Sequence, residues 1–135
     1  MKSICVIPAR GGSKRIPRKN SLKLNGIPLI SYSIRAAINS SQFDEIFVST
    51  EDKELKQIAI SEGIMVDDRP LKLAGDNVTK IEVINEFLER QNYISANDII
   101  TALLPTCPFR SHHHIKEAFE LFKKNDLPFL IGVTE

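Results

Sequence analysis

SICVIPARGGSKRIPRKN, residues 3–20, joins two unlike pieces of chain. Residues 3–7 (SICVI) form a short apolar, β-branched run closed by Pro8, which predicts a buried parallel strand. Residues 8–20 hold the adjacent Gly11 and Gly12 and five cations: Arg10, Lys14, Arg15, Arg18 and Lys19. No helical or strand period holds from residue 8 to residue 28. A connection of that length in a compact domain is usually functional.

Outward from this stretch, strands and amphipathic helices alternate. Residues 29–40 are helical, with Ile30, Ile34, Ala37 and Ile38 on one face. Residues 45–49 (EIFVS) read as a second strand. Thr50 is the expected N-cap of the next helix, with Glu51 and Asp52 in its first turn, where the helix dipole favours anions. Leu55, Ile58 and Ala59 give that helix its apolar face, and residues 64–66 a short third strand. An aperiodic loop, residues 67–78, precedes a capping box formed by Thr79 and Glu82. The helix behind it presents Ile81, Ile84, Phe87 and Leu88. Residues 98–103 predict a fourth strand. Ser111 caps a helix with Ile115, Ala118, Phe119 and Phe122 inward, and residues 129–133 (FLIGV) read as a fifth strand.

This order predicts an α/β fold: a three-layer α/β/α arrangement around a mainly parallel, Rossmann-like sheet. At 135 residues the chain fits a single domain, 1–135. A last strand with no helix behind it is expected to leave part of one sheet face uncovered, either because the natural protein continues or because a partner covers that edge. In open sheets of this type ligands bind beyond the carboxyl ends of the strands. The loops carrying Gly11–Gly12, Arg69 and Pro105 all leave such ends, so one shared site is expected.

Net charge is +1, from 18 Lys+Arg against 17 Asp+Glu, so no broad basic surface for nucleic acid is expected. No apolar run approaches a membrane span, and no signal peptide is read at the N-terminus. Cys5 and Cys107 lack a CxxC partner and read as reduced core residues of a cytoplasmic protein.

The basic cluster therefore calls for a local anionic partner. Glycines without Cβ atoms let backbone N–H groups approach a ligand and form an anion-binding concavity. Arg10 adds a planar fork suited to phosphate, and Lys14 and Lys19 add point charges. The sequence has neither GxxxxGK[ST] nor GxGxxG, so this is not an ordinary P-loop or dinucleotide fingerprint.

The stretch IPARGGSKRIPRKN resembles the nucleotide-binding signature of the acylneuraminate (CMP-sialic acid) cytidylyltransferases. NGIPLISYSIRAA, FDEIFVSTED, DDRP with LAGDN, and LLPTCPFR follow in the family's order. The resemblance covers the whole chain and corresponds to the N-terminal part of the family's usual length. It implies transfer of CMP from CTP to the anomeric hydroxyl of a nine-carbon 2-keto sugar acid, with release of pyrophosphate. It also implies that Arg10, Gly11, Gly12 and Ser13, following Ala9, hold the CTP phosphates. Lys19 would act near the α-phosphate with Asn20 beside it. Arg69 and Ala74 would surround the cytosine and ribose, and Thr106 and Arg110 would flank the sugar. Arg10 and Lys19 are the expected catalytic residues. Magnesium is implied as well, with its ligands beyond Glu135, as is a homodimer for the full-length protein. A truncated, weakly catalytic nucleotide-binding module of the same fold is the alternative, and the PTCPF segment speaks against a CMP-Kdo synthetase type.

Two departures from the family pattern stand out. Leu104 replaces a glutamine, which bears on the identity of the sugar (a pseudaminic- or legionaminic-type acid, or something further away). Glu51 replaces an aspartate and is read as a helix cap of little consequence. Other conspicuous residues have bland readings. His112, His113 and His114 point about 100° apart on a helix and cannot converge on a metal. Asp67 and Asp68 read as a solvated loop, and Arg15 and Arg18 as solvated. Asp76 either touches the nucleotide or shapes its turn.

Overall fold

The computed structural model describes residues 1–13 and 15–133. The element order is β1 (Ser3–Pro8), β2 (Lys23–Leu24), β3 (Ile27–Pro28), α1 (Leu29–Ser40), β4 (Glu45–Thr50), α2 (Lys53–Ser61), β5 (Met65–Asp68), a 3-10 turn (Leu71–Leu73), α3 (Lys80–Arg90), β6 (Ile99–Ala102) and α4 (His112–Lys124). The main sheet is parallel, in the order β5-β4-β1-β6. The chain thus moves outward from β1 to β5 and then returns to the other side of β1. The reversal leaves a crevice at the carboxyl ends of β1 and β6, the place where open α/β sheets bind ligands.

β1 shows why the fold has three layers. All six of its residues are buried, and their period of two sorts them onto opposite faces. Cys5 and Ile7 join Ile30 and Ile34 of α1, Leu55 and Ala59 of α2 and Ile115 of α4. Ile4 and Val6 join Phe47 and Phe87 on the other face, which α3 covers. Phe47 and Phe87 meet edge to face with ring centroids 5.2 Å apart. The mainly parallel α/β/α architecture expected from the sequence is the one observed.

Several local expectations are corrected. The aperiodic stretch before α1 contains the small hairpin β2–β3, joined at Asn25 and Gly26 with φ values of 52° and 77°. Asn-Gly is a strong signal for a turn of this kind. β4 runs through Thr50, which pairs with Asp68 and is fully buried. The cap of α2 passes to Asp52, whose side chain accepts from the Leu55 N–H at 3.0 Å. β5 therefore lies further along the chain than residues 64–66. In α3, Val83 and Phe87 face the sheet, while Ile81 points away and is 72% exposed. Residues 129–133 pair with no strand; Phe129, Ile131 and Val133 are exposed. Their apolar composition suits a strand, but a strand exists only through a ladder partner, and the described residues offer none. Cys5 is buried, and desolvation pushes its thiol pKa up. Cys107, by contrast, is exposed in the loop after β6 rather than in the core.

Candidate functional site

The loop after β1 sets the site. Gly11 is buried against the turn after β4: a Cβ at Gly11 would stand 2.6 Å from Asp52 Oδ1. Only glycine lets the backbone approach that closely. The Gly11 N–H donates to Glu51 Oε1 at 2.7 Å. At the far end of the loop, Asn20 Nδ2 donates to the Arg10 carbonyl at 3.1 Å, and the Asn20 carbonyl accepts from the Ile30 N–H at 3.0 Å. The start and end of the loop are thus stitched together and fastened to α1. Arg18 is solvated, with its side chain 47% exposed, and it also pairs with Asp52 at 2.7 Å and Glu54 at 3.2 Å. Lys14 lies outside the described residues.

One cleft collects most of the expected residues: Arg10, Gly12, Ser13, Lys19 and Asn20 from this loop, Arg69 from the loop after β5, and Thr106 after β6. Pro105, Asp76, Thr79 and Lys80 complete its mouth. Ala9, Gly11, Ala74 and Arg110 are not among its lining residues. Ala9 is buried, with its N–H donating to the Ser49 carbonyl at 3.0 Å. Ala74 closes the 3-10 turn by donating to the Leu71 carbonyl, while its neighbours Leu73 and Gly75 line the cleft. Arg110 turns toward α1, with Nη2 donating to the Leu104 carbonyl at 3.0 Å and Ser33 Oγ at 3.2 Å. Burial depresses its guanidinium pKa.

Arg69 is 7% exposed, and its Nη2 donates to the Ser49 carbonyl at 3.0 Å. Its Nε has no hydrogen-bond partner among the described residues. Burial pushes its pKa down; the Glu51 and Asp67 carboxylates oppose that shift, and Arg10 adds to it. A buried cation at the edge of a cleft attracts an anion strongly, because little water screens it. Arg10, Lys19, Arg69 and Lys80 give the cleft positive charge from three separate segments, and the N-terminus of α3 opens onto it. Backbone N–H groups at a helix N-terminus favour anions too.

Lys80 was missed by sequence reasoning, although the capping box of Thr79 and Glu82 is present with both of its bonds and fixes where α3 begins. A helix start that follows the Arg69 loop was the available signal. Asp67 was misread. It is 4% exposed, accepts two bonds from Arg90 at 2.8 and 3.0 Å and a third from Ser49 Oγ at 2.8 Å. It is a buried structural anion, whereas Asp68 is exposed beside Lys56. His114 Nδ1 accepts from the Ser111 N–H at 3.0 Å, so the histidine tract begins with a cap. Among the described residues, no group of three or more His, Cys, Asp or Glu could hold a metal ion. No helix among them is long and apolar enough to cross a membrane.

Comparison with known proteins extends this geometry. A family model described as cytidylyltransferase matches residues 4–132. The pseudaminic acid cytidylyltransferase of Campylobacter jejuni subsp. jejuni serotype O:2 is 42% identical over 139 residues, covering 100% of this chain and 59% of that protein. The N-acylneuraminate cytidylyltransferase of Streptococcus agalactiae serotype V is 39% identical over 137 residues, covering 100% of this chain and 32% of that protein. The chain spans 59% or less of the length of these relatives. Among solved structures, a CMP:2-keto-3-deoxy-manno-octonic acid synthetase complexed with CTP superposes with a TM-score of 0.75 at 22% identity, covering 93% of this chain and 49% of that one. At that identity the likeness speaks for the fold.

Proposed function

The chain belongs to the cytidylyltransferase family, and on that premise we propose that it transfers CMP from CTP to the anomeric hydroxyl of a sialic-acid-like 2-keto sugar acid. In that reaction the anomeric oxygen bonds to the α-phosphorus, the bond from the α-phosphorus to the bridging oxygen of the β-phosphate breaks, and pyrophosphate leaves. The hydroxyl proton is lost to solvent. The observation that carries this reading is the convergence of Arg10, Lys19 and Arg69 with Gly12 and Ser13 on one cleft at the sheet's reversal point.

Transfer at a phosphate relies mostly on positioning and charge stabilisation rather than on covalent chemistry by the protein. Arg10 supplies a planar fork for phosphate oxygens, and Lys19 a point charge beside the reacting phosphate. Gly12 leaves open space for phosphate to approach the backbone. Arg69, with Ala74 behind it, shapes the nucleoside end. Thr106 faces the acceptor side of the cleft, and Arg110 supports that loop from behind. Residues 1–135 form one nucleotide-binding domain in this reading. Magnesium would accompany the triphosphate, but the described residues offer it no ligand set, so no step is assigned to it here.

Incubation with CTP and, in turn, pseudaminic, N-acylneuraminic and diacetyllegionaminic acids tests the proposal. A CMP-sugar and pyrophosphate formed with one of them supports it. CTP binding without product from any acceptor favours a nucleotide-binding module instead.

A further inference from the structure

The sequence gives Glu51 the appearance of a helix cap, yet Asp52 holds that role and leaves the Glu51 carboxylate for something else. One oxygen accepts the Gly11 N–H at 2.7 Å. The other is buried with no hydrogen-bond partner among the described residues. Nearby stands the buried Arg69, whose charge Glu51 stabilises electrostatically and whose Nε is also without a partner among the described residues. The glycine loop is pressed so tightly onto this turn that a Cβ at Gly11 would collide with Asp52. Arg18 ties the same loop to Asp52 and Glu54 further along. Between these two fastenings, Gly12 and Ser13 line the cleft.

We propose that Glu51 is the positioning residue of the glycine loop: its carboxylate fixes the Gly11 amide and, together with Asp67, offsets the charge of the buried Arg69. Gly12, Ser13 and Arg10 are thereby presented to a nucleotide's phosphates in a set geometry. This rests on the reading of the cleft as a nucleotide site. A loop already fixed in its binding geometry loses less conformational freedom when the ligand arrives, and affinity rises accordingly. A carboxylate bonded to a phosphate-facing loop from the turn after β4 would instead compete with phosphate if the Gly11 amide were itself a phosphate ligand, and removing it would then strengthen binding. The two roles predict opposite signs.

The test compares wild type with Glu51→Ala, Glu51→Gln and Glu51→Asp. Amide hydrogen exchange at Gly11 is measured without ligand, and CTP affinity by calorimetry. In Glu51→Ala, Gly11 exchange should quicken about tenfold or more, because the amide loses its acceptor. CTP affinity should fall about tenfold as the loop's preorganisation is lost. Glu51→Gln keeps an acceptor oxygen and should restore most of the Gly11 protection but only part of the affinity. Thermal unfolding reports separately on any general loss of structure. If Glu51→Ala does not fold, the other two variants decide. Glu51→Asp keeps the charge on a shorter arm and should exchange faster at Gly11 than Glu51→Gln. Unchanged Gly11 exchange in Glu51→Ala (or in Glu51→Asp, if the alanine variant does not fold), or CTP affinity in that variant equal to or tighter than wild type, overturns the proposal. If wild type itself binds no CTP, the nucleotide reading falls, while the exchange measurement still decides whether Glu51 holds the loop.

Discussion

Arg10 and Asp76 meet at the cleft with Nη1 2.5 Å from Oδ1, joining the loop after β1 to the loop that follows the 3-10 turn. Both side chains are partly solvated, at 30% and 41% exposure. An ion pair in such a setting contributes at most about 1 kcal/mol to stability. Its value lies in holding the Arg10 fork at the mouth of the cleft.

Arg10→Ala should therefore cost little stability, no more than about 1 kcal/mol in urea unfolding. It should weaken CTP binding at least about tenfold, the equivalent of 1.4 kcal/mol. Wild-type affinity in a folded Arg10→Ala protein would remove Arg10 from the phosphate site.

Asp67 and Arg90 form the opposite kind of pair. The Asp67 side chain is 3% exposed and Arg90 34%. Removing one partner of a buried pair costs about 3–5 kcal/mol, and the partial solvation of Arg90 places Asp67→Ala near the lower end. Denaturant unfolding should show that loss. A change within about 1 kcal/mol would mean that the pair behaves as a surface contact.

Asp52 gives a pH dependence. The hydrogen bond from Arg18 is the main cause of its depressed carboxyl pKa, with backbone N–H bonds such as that from Leu55 adding to it against desolvation. A carboxylate with a lower pKa in the folded state adds stability above its unfolded pKa, about 3.9. That stability disappears as pH falls through the folded value. Asn also caps helices well, so Asp52→Asn isolates the charge. The advantage of wild type over this variant in Tm should be full near pH 6 and shrink from roughly pH 4 downward. An advantage that stayed constant to pH 2 would show that the charge plays no part.

These contacts mark the limit of what was legible in the sequence. The β1 strand, α1 and the capping box before α3 could be read because their signals are local: an apolar run, a helical period, and a hydroxyl three residues before a carboxylate. The gathering of Arg10, Lys19, Arg69 and Thr106 on one cleft followed from strand–helix alternation, since each loop leaves the same end of a parallel sheet. Asp67 could not be read, because its partner Arg90 lies on a helix 23 residues away. Glu51 was hidden for the same reason, its acceptor role depending on Gly11, 40 residues earlier. Thr50 and Asp52 are both good caps, and only the pairing of Thr50 with Asp68 decides between them. The Asn25–Gly26 turn, by contrast, was legible and overlooked.

In the proposed reaction the cleft around the glycine loop is a CTP triphosphate site acting through Lys19. Calorimetric titration of CTP, UTP, ATP and GTP, with and without magnesium, into wild type and Lys19→Ala tests it most directly. CTP-selective binding to wild type is expected, weakened at least about tenfold in the variant, with a loss of at least about 2 kcal/mol of transition-state stabilisation wherever turnover is measured. Equal binding of CTP by the two folded proteins, or no preference for CTP over the other nucleotides, would contradict it.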